Sequence, residues 1–194
     1  MMSDEDEWPP AGVEQIDLTL ETGRGACVHW SHRVWQHFVT LRNVVEQSAH
    51  LCNKARLSVP TTAHDDTLLY LGALIEWHAE NDCAMHASLL CRDATQAEQN
   101  AAHWLDRRTE TTLQFDRCFF NSLVDARHGL LGDLVRTVEF LDAPHIMSLV
   151  GRLLETHLWQ DNNTSHQTVA RLRRALFGDE NPSACAATCV QVTR

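Results

Sequence analysis

Lysine and tyrosine are almost absent from this chain, with one residue of each, Lys54 and Tyr70. Fifteen arginines supply the remaining positive charge, yet no lysine or arginine run is long enough to follow a nucleic-acid backbone, and the net charge is −10. Direct nucleic-acid binding is therefore not expected. With eight glycines, five prolines and a single tyrosine, the chain also lacks the material for a turn-rich β-sandwich. An all-α fold is expected instead. The longest apolar run, Leu68 to Ile75, is too short for a membrane span, and the opening MMSDEDEW has neither the basic patch nor the apolar core of a signal peptide. The cysteines at 27, 52, 83, 91, 118, 185 and 189 are odd in number and irregularly spaced, unlike a secreted disulfide scaffold. Reduced thiols and an intracellular location, cytoplasm or nucleus, are the expectation.

What is present is ordinary globular material: 194 residues, 44% apolar and 22% charged, enough for one domain with a sizeable core. The sequence divides into an acidic leader and extended arm (1–25), a helical bundle domain (26–178) and a tail expected to be disordered (179–194). The expected architecture is a bundle of five to six helices whose three long first segments form an antiparallel core.

In the arm, Ile16, Leu18 and Leu20 alternate with polar residues at the period of a strand, and no second strand is expected to follow. A lone strand leaves its backbone groups open for pairing with another sheet. The core Ile16-Asp17-Leu18-Thr19-Leu20, with acids at Glu14, Asp17 and Glu21, resembles a SUMO-interacting motif. That resemblance implies a protein partner, SUMO or a sumoylated protein, docked by strand addition.

One long helix is expected over Ala26 to Leu57, from the spacing of Val34, Phe38, Leu41, Val45, Ser48, Cys52 and Ala55, with Trp30, Trp35, His29, His32 and His37 packed at its start. Pro60 and Thr61-Thr62-Ala63-His64 break it, and Asp65 or Asp66 caps a second helix running to Leu90, striped by Leu68, Leu71, Ile75, Met85 and Leu89. A capping box at Thr95 and Glu98 opens a third, with the face Ala97, Ala101, Trp104, Thr111, Phe115, Cys118 and Ser122 interrupted by Arg108, and a stronger core at Phe119, Phe120, Leu123 and Val124. Gly129 and Gly132 suggest a kink or turn before the spacing resumes through Leu141. Asp142 and Pro144 start a helix to about Gln160, and a last helix closes at Gly178 with Val169, Leu172, Leu176 and Phe177 inward and Arg171, Arg173 and Arg174 outward.

His78, Asp82 and His86 recur every fourth residue of the second helix and are the candidate metal ligands. The outer two stand about 12 Å apart along the axis, so one ion would use an adjacent pair and import ligands such as His37 or His103. The bland alternative has Asp82 accepting from the imidazoles. No Glu-x-x-His pair and no His-x-x-x-His pair occurs, and His78-Ala79-Glu80 lacks the Pro-Cys-x-x-Cys half of a deaminase signature. No Gly-x-Ser-x-Gly elbow or phosphate-binding glycine loop is present. No catalytic residue and no cofactor is expected, and the expected role is a non-catalytic adaptor or subunit of a larger assembly, the alternative being a metal-binding helical bundle or enzyme that uses the histidines and Asp82. In size the chain resembles small helical regulators of the Bcl-2 class, although His128 stands where their Leu four residues before Gly132-Asp133 belongs, and Asn-Trp-Gly-Arg is missing.

Overall fold

A computed structural model describes residues 16–49, 56–81, 99, 103–126, 129–160 and 166–178. They are mostly helical, with one small sheet of order β2-β1-β3: β1 (Asp17–Glu21), β2 (Cys27–Trp30) and β3 (Arg56–Pro60). β1 runs antiparallel to β2, placing Leu18 opposite Trp30 and Leu20 opposite Val28, and parallel to β3, placing Leu20 beside Val59. Leu18, Leu20, Val28 and Trp30 are all buried, so one face of the sheet belongs to the core. The β1–β2 turn depends on Gly25, whose φ of +79° is costly for other residues, and is closed by the Thr22 amide donating to the Ala26 carbonyl at 2.8 Å. The expected lone strand thus has two partners within its own chain.

The long helix expected over 26–57 is also corrected. Its stretch contains β2, a single turn α1 (His32–Trp35), α2 (Val39–Ala49) and β3. Over Cys27-Val28-His29-Trp30 the side chains alternate outward and inward, the signature of a strand, and extended Ser31 then starts α1. The free amides at the start of α2 are satisfied from outside: Val39 donates to the Asp142 carbonyl (3.1 Å) and Thr40 to that of Leu141 (3.3 Å).

α3 (Asp65–Asn81) starts where the sequence indicates and buries Leu68, Leu71, Leu74, Ile75 and His78. It packs against α1, β2, α4 (Glu110–Asp125) and α5 (Leu130–Phe140), which joins the sheet to the helices. Gly72 makes that junction possible, since a Cβ there would lie 2.8 Å from the Trp30 indole nitrogen. Met85 and Leu89, like Thr95 and Glu98, fall outside the described residues.

The third helix does not run continuously. Residues 103–106 form a helical turn, and after a break α4 (Glu110–Asp125) begins anew, with the Thr109 hydroxyl accepting from the Thr112 amide at 3.2 Å. Restarting there shifts the register: Thr112, Asp116, Phe120, Leu123 and Val124 face inward, whereas Thr111, Cys118 and Ser122 are exposed.

α5 (Leu130–Phe140), α6 (Pro144–Gln160) and α7 (His166–Phe177) complete the described elements. α5 touches α3, α4, α6 and α7. It ends in a Schellman motif, with Asp142 at φ +56° donating to the Glu139 carbonyl and Ala143 donating to that of Val138. Gly129 caps its start at φ +80°, and Gly132, expected at a kink, lies instead within the helix under α7. A Cβ on Gly132 would fall 1.9 Å from the Leu176 carbonyl oxygen. Gly132→Ala is therefore expected to lower stability by about 1–3 kcal/mol through forced separation of the two helices. Gly151→Ala on α6, where nothing lies within 4 Å, is expected to be neutral or to stabilise by up to about 1 kcal/mol. Urea unfolding midpoints of the two variants distinguish packing from helix propensity.

Of the residues expected to face inward on α7, Leu172 is buried and Leu176 half-buried, while Val169 and Phe177 are exposed. Among the described residues no helix is long and apolar enough to cross a membrane.

Candidate functional site

The expected docking stretch Ile16, Asp17, Leu18, Thr19 and Leu20 lies at the start and centre of the sheet. The Trp35 indole donates to the Ile16 carbonyl at 3.0 Å, and Leu18 and Leu20 are fully buried. Both edges of β1 are occupied by β2 and β3. Strand addition requires a free edge, which this strand would gain only by leaving one of its neighbours.

His78 has no solvent exposure, and Asp82 and His86 lie outside the described residues. Its Nε2 sits 2.8 Å from Asp116 Oδ1, and the other carboxylate oxygen accepts from Arg108 Nη1 at 2.6 Å. A carboxylate partner of the imidazole is thus on α4, 38 residues away, and Asp82, the acceptor expected from the row, lies outside the described residues. Aromatic rings enclose the group: Trp104 and Phe115 present edges to His78 at 5.5 and 5.8 Å, Trp77 stacks on Phe115 at 3.7 Å, and the Arg108 guanidinium lies 6.0 Å over Trp104. So enclosed, the network joins α3 to α4 and presents no reactive atom to solvent. Among the described residues no three His, Cys, Asp or Glu side chains converge to hold a metal ion.

Near it lies a second buried imidazole that the sequence did not single out, His145 at the start of α6. Burial is the main force holding its pKa down, from 6.5 to about 3, with the electrostatic influence of Arg42 and then of the His78 imidazole adding to the effect. The His37 ring lies 5.7 Å from it.

A surface site forms where α3 begins and α5 ends. Thr61, Thr62, Ala63 and His64 line one wall of a cleft of about 110 Å³, and Asp133, Arg136, Thr137, Phe140 and Leu141 line the other. The first wall is held by the sheet, the Thr61 amide donating to the Glu21 carbonyl (2.8 Å) and that of Gly23 to the Ala63 carbonyl (3.3 Å). On the second wall Arg136 pairs with Asp133, and His64 Nε2 stands 3.7 Å from the same carboxylate. Two hydroxyls of the cleft bond to backbone: that of Thr137 donates to the Asp133 carbonyl, and that of Thr61 accepts from the Ala63 amide. Phe140 rises from the rim, 58% exposed. The sequence names these residues only as a helix break and the end of an apolar stripe, because the cleft joins segments about 70 residues apart.

No protein-family model matches this chain, and the comparison with curated proteins finds no relative.

Proposed function

We propose that the chain is a non-catalytic interaction module that receives a protein partner at the Phe140 cleft. One observation carries this reading. A phenylalanine more than half exposed stands beside a concavity with room for one apolar side chain, ringed by threonine, histidine, aspartate and arginine. Aromatic anchors with polar rims are the usual composition of energetic centres in protein interfaces. The complementary partner is a segment that inserts an aliphatic side chain beside Phe140 and sets polar backbone against Thr61 and Thr62.

A SUMO-type partner at Ile16 to Leu20 would have to displace β2 or β3 first, so the cleft is favoured over the strand as the docking element. Phe140→Ser should leave the unfolding midpoint nearly unchanged and reduce capture of the partner in cells at least tenfold, while Gln114→Ala on the exposed side of α4 should not. Equal capture by wild type and both variants would remove the cleft from consideration.

A further inference from the structure

On α7, Val169 is 49% and Phe177 64% exposed, and Arg173 and Arg174 are exposed beside them. At 3.6 residues per turn, Val169, Arg173, Phe177 and Arg174 fall within about 140° of the helix circumference, forming one strip of alternating apolar and cationic side chains. Arg171 lies off this strip and is tied to Asp125. Arg173 and Arg174 pair with no acid among the described residues. On a chain of net charge −10, the strip is a local exception that calls for an acidic, aromatic partner.

The same chain carries such a segment. Asp4-Glu5-Asp6-Glu7-Trp8 sets four carboxylates before an indole, matching two guanidinium groups next to Phe177 and Val169 in both charge and apolar content. Trp8 precedes Ile16 by eight residues, which span up to about 28 Å when extended. We propose that the acidic leader docks on the α7 strip of its own chain, with Trp8 against Phe177 and the carboxylates on Arg173 and Arg174. Charge-assisted pairs of arginine with carboxylate, together with arginine and aromatic contact with the indole, supply the recognition.

The test places p-benzoylphenylalanine at Trp8 of the full chain and maps its photo-crosslinks. The expected product has the mass of one chain, with the link in residues 169–177. It should fall at least fivefold in Arg173→Glu/Arg174→Glu and return when Asp4, Glu5, Asp6 and Glu7 are also changed to lysine, a swap that keeps the pairing with its signs exchanged. Crosslinks outside α7, a link between two chains, or indifference to charge reversal would overturn the proposal. It would also be overturned if the chain sedimented with phosphatidylserine vesicles through Arg173 and Arg174 while Trp8 gave no crosslink to α7, because the strip would then be a lipid-binding face.

Discussion

Replacing Asp116 by alanine is expected to destabilise the protein by about 3–5 kcal/mol, read from the shift in the urea unfolding midpoint. The carboxylate is fully buried and serves two groups at once, Arg108 at 2.6 Å and His78 at 2.8 Å. Its removal leaves a guanidinium whose side chain is 5% exposed without an acceptor, and that uncompensated charge, more than the lost attraction, sets the cost. The triple replacement Asp116→Leu/Arg108→Met/His78→Phe removes every charge together. It is expected to recover most of the loss, since a buried ion network of this kind contributes little beyond what apolar packing of similar volume would. Capture of the partner should survive in the triple variant if the network only joins α3 to α4. An Asp116→Ala loss below about 1 kcal/mol would mean that the three groups do not share one desolvated site.

The second large effect is acid sensitivity. His145 has a folded pKa near 3, held below 6.5 first by burial and then by Arg42 and His78. Between those two values the unfolded chain binds a proton at this residue and the folded chain does not. Stability from the neutral, buried imidazole is therefore complete above pH 6.5 and declines as the pH falls toward 3, by roughly tenfold in the folding equilibrium constant per unit. Between pH 7 and pH 5 the loss should approach twentyfold to thirtyfold. His145→Gln has no such proton to take up, so its unfolding should bind about one proton fewer than wild type in this window, whatever its absolute stability. Identical pH slopes for the two proteins would show that His145 does not reside neutral in the core.

Much of this arrangement was legible in the residues themselves. The start of α3 at Asp65, its leucine stripe, the full extent of α6 and the Gly178 end of α7 follow from local signals that the fold leaves intact. β2 and β3 escaped because a strand of four or five residues shows too few alternations to compete with apolar spacings that also suit a helix. β1 was visible as a strand, but its parallel pairing with β3 is made across more than 30 residues and leaves no mark in either segment. The same limit hid Asp116: sequence spacing offers His78 only a carboxylate within reach along its own helix, and the one on α4 comes from 38 residues away. Val169 and Phe177 fit the inward stripe of α7 by spacing, yet Ala175 and the backbone above Gly132 occupy the contact with α5 and leave those two side chains outside.

The choice between a cleft and a strand as the docking element can be measured on the full chain by hydrogen exchange, alone and with a captured partner bound. Binding is expected to slow exchange in residues 61–64 and 133–141, while the amides of Leu18, Thr19 and Leu20, already paired within the sheet, exchange slowly in both states. Rapid exchange across residues 16–21 in the free protein, with new protection there on binding and none at 133–141, would contradict the cleft and restore the strand.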